Sequence, residues 1–230
     1  MHMVQALEGF VNLFRSFIVY EQMVFRLIWR GGLTSDFASV MAVEGQMRRK
    51  EVRCLYELAQ TAAREGVIVE IGSYRGLSTV ALAKGSLRGH KIPVYAIDPH
   101  EYVDPGICTG RSGWCYDPQD NVAFLKNILF AGVAEKVRLI NLLSFEAVAG
   151  WDKPISLLYI DGNHEYEAAE RDFSEWSRFV LNGGHVVFHD SIDPCGGPYS
   201  AVQGALQKEF ILLKQVEKVS VLQKRSIGRS

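Results

Sequence analysis

The chain has 230 residues, 48% of them hydrophobic, and its 25 basic and 26 acidic side chains leave a net charge of -1. That balance excludes the electrostatic footprint of a nucleic-acid binder and the composition of a disordered acidic tail, and the length suffices for one sizeable core but not two full domains. Four cysteines (Cys54, Cys108, Cys115, Cys195) with no C-x-x-C pair argue against a secreted disulfide framework and a zinc site, so reduced thiols and a cytoplasmic location are expected.

The first apolar segment, Gly9–Trp29, is interrupted by Arg15, Glu21 and Arg26 at intervals that suit one polar side of a helix. An amphipathic helix packed on the domain or on a second copy in a homo-oligomer is expected, rather than a membrane span. Residues 1–43 are therefore read as an N-terminal helical extension and 44–230 as the folded domain. Val52, Leu55, Tyr56 and Leu58 recur at helical spacing within Glu44–Glu65. Short apolar runs then follow at Val67–Ile71, Val94–Ile97, Val137–Asn141, Leu157–Ile160 and His185–Phe188. Helical patterns separate them at Leu77–Leu87, Asn121–Ala131, Glu165–Phe179 and Ala201–Glu209. Such alternation means an α/β fold with a mostly parallel sheet covered on both faces. Two final strand-like runs around Gln215–Lys218 predict an antiparallel hairpin at the sheet edge, for seven strands in all. The long irregular stretch His100–Asp120 carries Tyr102, Arg111, Trp114 and Tyr116, candidates for acceptor recognition.

In parallel sheets ligands sit at the C-terminal strand ends. The first strand ends in Glu70-Ile71-Gly72, and Gly76 opens the next helix, so the turn reads E-x-G-x-x-x-G rather than G-x-G-x-x-G. A pyrophosphate is attracted to bare amides and a helix N-terminus, and a carboxylate there repels it. A ligand with a cationic end fits better, and S-adenosylmethionine carries both an ammonium and a sulfonium. Asp98, closing "VYAID", is placed to accept the hydroxyls of an adenosine ribose, although an NAD site uses the same acid.

The segments "VEIGSYRGLSTVALA", "VYAIDPHE" and "LLYIDGNHEYEAAERDFSEWSRFVLNGGHVVFHD" together resemble the class I S-adenosylmethionine-dependent methyltransferases. Within these they resemble methyltransferase family 24, related to the macrolide-sugar and catechol O-methyltransferases, over residues 44–224. The resemblance implies a Rossmann-like class I methyltransferase fold. It also implies cofactor contacts at Glu70, Gly72, Ser73, Tyr74, Gly76, Ser78, Asp98, Ser144 and Asp161, with Ser144 expected as the neighbour of the adenine. S-adenosylhomocysteine is the implied product. Asp161 and Asp190, at the ends of the fourth and fifth strands, correspond to the acids that hold a divalent metal such as Mg²⁺ in these relatives, with His189 as a further candidate ligand. His164, three residues after Asp161, corresponds to the general base proposed in the macrolide-sugar enzymes. With Asp161 it forms the expected catalytic pair.

Each residue also has a plainer reading. His164 can cap the helix that follows, His189 can be a satisfied histidine bonded to backbone, and Asp172 is read as structural, pairing with Arg178 or capping a loop. The function expected is methyl transfer to a hydroxyl of a small molecule such as a sugar or polyhydroxylated natural product. The rivals are an NAD-dependent sugar oxidoreductase, a metal-independent methyltransferase acting on nitrogen or carboxylate, and a non-catalytic cofactor-binding partner protein.

Overall fold

The computed structural model describes residues 35–100 and 118–226, so the segments around Gly9–Trp29 and Tyr102–Tyr116, and Cys108 and Cys115, lie outside the described residues. The chain divides into two compact units, Met1–Ala42 and Val43–Ser230. The described part of the first is a single helix, α1 (Ser35–Val40).

The second unit opens with α2 (Arg49–Thr61), whose apolar stripe buries Val52, Leu55 and Leu58. Next come β1 (Val67–Ile71), α3 (Leu77–Arg88), β2 (Val94–Ile97), α4 (Pro118–Phe130) and β3 (Val137–Ile140). A short helix α5 (Ser144–Ala147) leads to β4 (Ile155–Ile160), α6 (Tyr166–Trp176), β5 (Val180–Phe188), α7 (Gly197–Leu206), β6 (Phe210–Val216) and β7 (Val219–Lys224). These strands form one sheet in the order β3-β2-β1-β4-β5-β7-β6. The first five are parallel, and β7 runs antiparallel to both β5 and β6. No helix among the described residues is long and apolar enough to cross a membrane.

Alternation along β1 distributes its side chains between two layers. Val69 and Ile71 join Leu158, Ile160, Val186 and Phe188 under Ala169, Phe173 and Trp176 of α6 and Ala201, Val202 and Ala205 of α7. Glu70 points the other way and accepts a hydrogen bond from Thr79 of α3. The chain order reverses between β1 and β4, so the crevice expected for a ligand lies at their C-terminal ends.

Two elements start earlier than their sequence pattern suggests. Helix α7 begins at Gly197 rather than Ala201, because Pro198 fits the first turn of a helix, where an N–H has no intrahelical partner. Strand β5 begins at Val180 rather than His185: Val180 pairs with Ile155, the register shifts over the Asn182-Gly183-Gly184 stretch, and pairing resumes at His185 opposite Leu157.

The β1–α3 turn depends on Gly72. Its φ is +81°, and a Cβ there would lie 2.2 Å from the carbonyl oxygen of Asp161. The two strand ends approach closely because Asp161 N–H donates to the Ile71 carbonyl at 2.8 Å. Gly72→Ala adds both a backbone clash and a left-handed alanine. It is expected to lower the unfolding free energy by about 2 kcal/mol or more, measured as a fall in the denaturant midpoint. An unchanged midpoint would show that these strand ends are not in such close contact.

Candidate active site

Asp98 organises one half of the ligand-facing edge. Its Oδ2 accepts the backbone N–H groups of Ser73 and Tyr74 at 2.8 and 2.9 Å, and its Oδ1 accepts that of His100 at 3.1 Å. The buried His100 ring donates Nε2–H to the Tyr74 carbonyl at 2.8 Å and tilts against Phe124. Gly76, with φ +88°, faces that same Phe124 ring and opens α3. The turn Ser73–Gly76 is thus bound to the end of β2. The Ser73 hydroxyl adds a long contact to Oδ2 at 3.5 Å, so the capacity left for a ligand hydroxyl is on Oδ1.

Glu70 departs from its expected role. It is fully buried, with Oε2 accepting from Thr79 at 2.5 Å, Ser78 bonded to the carboxyl as well, and Oε1 without a partner. Burial pushes its pKa up to about 8; the Ser78 and Thr79 hydrogen bonds oppose the rise, while the charges of Asp161 and Asp98 add to it. A carboxyl kept neutral cannot supply negative charge to a cationic ligand. Glu70 and Thr79, with Ser78 beside them, form a strut joining β1 to α3 beneath the glycine turn.

The second half of the edge is a cluster of charges. His164 Nε2 lies 3.4 Å from Asp161 Oδ1, and its Nδ1 lies 3.9 Å from Asp190 Oδ2. His189 Nδ1 lies 3.2 Å from each of those two carboxylate oxygens, and Lys218 Nζ lies 2.7 Å from Asp190 Oδ1. On its other side, His189 Nε2 faces Glu51 Oε2 at 3.5 Å. Tyr159 donates its hydroxyl proton to Asp161 Oδ2 at 2.8 Å. Burial works against a charged His189, but hydrogen bonds to Asp161 and Asp190 outweigh it and push its pKa up to about 10. Burial likewise opposes ionisation of Asp161, and the bonds from His164, His189 and Tyr159 prevail, holding its pKa below the usual value. The bond from His189, helped by Lys218, holds Asp190 far below it.

This arrangement gives no support to the expectation of a metal on Asp161, Asp190 and His189. The three side chains converge, with His189 Nδ1 3.2 Å from one oxygen of each carboxylate. Lys218 occupies the remaining oxygen of Asp190. Among the described residues no group of three His, Cys, Asp or Glu side chains is set to hold a metal ion. As placed, the residues do not fit Mg²⁺, and positive charge beside the two carboxylates is supplied by His189 and Lys218. His164 does not cap α6 either: that helix starts at Tyr166, and Asn163 Oδ1 accepts the Glu165 N–H at 2.9 Å. Its loop packs closely on the start of α7, where a Cβ on Gly197 would meet the His164 carbonyl at 2.5 Å.

The sequence pattern of the methyltransferase-domain family matches residues 69–191, more than half of the chain and the span that holds Glu70, Asp98, Asp161, His164 and Asp190. The chain belongs to that family. Solved structures repeat the architecture of this methyltransferase. The O-methyltransferase NovP is 17% identical over 77% of this chain and 81% of its own, with a TM-score of 0.60. An O-methyltransferase from Bacillus cereus, solved in complex with SAH, is 13% identical over 89% and 97%, with a TM-score of 0.59. TomG from Streptomyces achromogenes, an O-methyltransferase of tomaymycin synthesis solved in complex with SAM, is 13% identical over 90% and 96%, with a TM-score of 0.58.

Three residues of the methyltransferase's cluster escape a reading of the sequence. Glu51 carried the one visible signal, an acid next to the apolar stripe of α2, and it is buried with Oε1 accepting the Lys218 N–H at 3.0 Å. Tyr159 looks like any aromatic in an apolar strand, and Lys218 looks like an ordinary turn residue. Asp172, expected to pair with Arg178 or to cap a loop, accepts a hydrogen bond from Ser144 at the start of α5.

The neutral Glu70 has a consequence for stability against pH. Its folded pKa of about 8 lies above its ordinary value of 4.5. The stability it contributes is therefore complete below that ordinary value and is lost as pH rises toward the folded one, at about 1.4 kcal/mol per unit for one proton. Glu70→Gln keeps the shape and removes the titration. Its unfolding free energy is expected to fall less steeply than wild type between pH 5 and pH 8, each followed by chemical denaturation. Parallel curves would show that Glu70 is ionised in the folded protein.

Proposed function

We propose that this methyltransferase moves a methyl group from S-adenosylmethionine to a hydroxyl oxygen of a small molecule, a sugar or polyhydroxylated natural product. The observation that carries the reading is the position of His164, held beside two carboxylates with its side chain 36% exposed at the ligand edge of the sheet. S-adenosylmethionine supplies an electrophilic methyl on a sulfonium when bound. The residues present fit it: Asp98 has acceptor capacity left for a ribose hydroxyl, and Asp161, held ionised, lies across the Gly72 contact from the glycine turn.

A neutral hydroxyl is a weak nucleophile and must lose its proton as the methyl arrives. His164 takes that proton and becomes an imidazolium between Asp161 and Asp190, whose charges stabilise it in place. His189 and Lys218 keep those carboxylates ionised and oriented, and Tyr159 fixes the second oxygen of Asp161. Turnover is expected to survive a chelator, because the carboxylates already have their cations. Loss on EDTA with recovery on Mg²⁺ would mean that His189 yields its proton and becomes a ligand.

The direct test is calorimetry with S-adenosylhomocysteine, with NAD⁺ as the control. Micromolar binding of the first (roughly -8 kcal/mol) and none of the second is the expected result. Silence with both would end the reading. In a hydroxyl-acceptor screen, His164→Ala is expected to lower kcat by about a hundredfold or more with S-adenosylhomocysteine affinity unchanged. An equal loss of both would assign His164 to binding instead of proton transfer.

A further inference from the structure

Strands β6 and β7 are joined by a two-residue turn, Glu217-Lys218. Glu217 has φ +54°, a left-handed backbone that a residue with a Cβ adopts at a steric cost, so the turn has to be held by its surroundings. The start of α2 grips it. Arg48 and Lys50 reach the Glu217 carboxylate at 2.7 and 3.2 Å, but their side chains are 62% and 78% exposed, and ion pairs so open to water hold little. The stronger contact is that of Glu51, which is buried and whose Oε1 accepts the Lys218 N–H at 3.0 Å. Ser191 N–H donates to the Lys218 carbonyl at 3.0 Å, so both main-chain groups of Lys218 are bound.

Glu51 also has a plainer role. It is the third residue of α2, and its Oε2 accepts the Arg48 N–H at 2.7 Å, as a glutamate at that position does in many helices. Capping needs only one oxygen and no burial. Here the second oxygen binds a residue 167 positions away, and Oε2 also faces His189 Nε2 at 3.5 Å. With its main chain bound on both sides, Lys218 lays its ammonium 2.7 Å from Asp190 Oδ1, and Asp190 Oδ2 lies 3.9 Å from His164 Nδ1. Asp190 is itself left-handed, with φ +45°, so a held turn faces a strained carboxylate. Glu51 and Lys218 both fall outside residues 69–191, the span of the family pattern.

We propose that Glu51 is a positioning residue: by binding the Lys218 main chain it holds the Lys218 ammonium on Asp190, beside His164, and so ties the reacting edge of the sheet to α2. It acts through Lys218 and touches neither cofactor nor acceptor. The inference rests on the methyl-transfer reading above for its effect on turnover, while the anchor itself is a matter of main-chain geometry.

Amide hydrogen exchange, read residue by residue by NMR on the full chain, tests the anchor without any acceptor. Glu51→Ala is expected to speed exchange at Lys218 and Ser191 by about tenfold or more. The amides of Ser73 and Tyr74, held by Asp98 on the other half of the edge, are expected to change by less than about twofold. Should Glu51→Ala not fold, Glu51→Met serves, because it keeps the length of the side chain and offers no carboxylate. Equal acceleration at all four amides, or none at Lys218, overturns the proposal. In turnover, with the hydroxyl acceptor used for His164, Glu51→Ala is expected to lower kcat by about tenfold while S-adenosylhomocysteine affinity stays within about twofold, and to cost less than about threefold once Lys218→Ala is present. Losses that multiply in the double variant, or an affinity that falls in step with kcat, would make Glu51 a purely structural acid and overturn its positioning role. Absence of S-adenosylhomocysteine binding by wild type would instead remove the methyl-transfer function, and the positioning role with it.

Discussion

Three backbone hydrogen bonds across the C-terminal edge of the sheet hold the rest of the site in place. Gly72 N–H donates to Ile97, Asp161 N–H to Ile71 and His189 N–H to Ile160. Each extends a parallel ladder one step beyond the last strand residue. They bring Asp98, the glycine turn, Asp161 and the His189-Asp190 pair into one row at the switch point of the sheet. Gly72 has no Cβ, so it both fits in that row against the Asp161 carbonyl and adopts a left-handed backbone without steric cost. Side-chain chemistry here is set by main-chain geometry, with helices on both faces fixing the strands.

Charge balance is the second principle of the site. Asp161 and Asp190 are kept ionised by His189 and Lys218, while Glu70, a few ångströms of strand away on the opposite layer, is kept neutral by burial. Neighbouring carboxyls with pKa values pushed in opposite directions divide the labour: one holds the framework together and the others face the ligand edge. His164 combines substantial exposure with two anionic neighbours, and that combination suits a group that must gain a proton and give it up again.

Much of this was legible in the chain. The bounds of β1 and β2 follow directly from apolar runs that end in a turn glycine or an acid, and the hairpin from two runs flanking Glu217-Lys218. The acids at strand ends could be placed because a parallel sheet gathers its strand termini on one side. The state of those acids was not legible. Whether Glu70 is charged depends on α3 lying over it, and a one-dimensional reading treats every acid as ionised. Asp172 was expected to pair with Arg178 or to cap a loop, whereas its hydrogen-bond partner, Ser144, comes from the segment after β3. Lys218 and Glu51 come from opposite ends of the folded unit, and nothing in their local sequence announces the meeting.

The β6–β7 turn carries one further consequence. Lys218 binds Glu51 through its main chain and Asp190 through its side chain, so the cation that completes the cluster comes from the final hairpin of the sheet. On a ribosome the first five strands emerge before it does. Without the docked hairpin Asp190 has no lysine beside it, and α2 has no bond through Glu51 to the far edge. The charge cluster is therefore complete only with the last hairpin in place, and an assembled site reports that the sheet has closed on its antiparallel side.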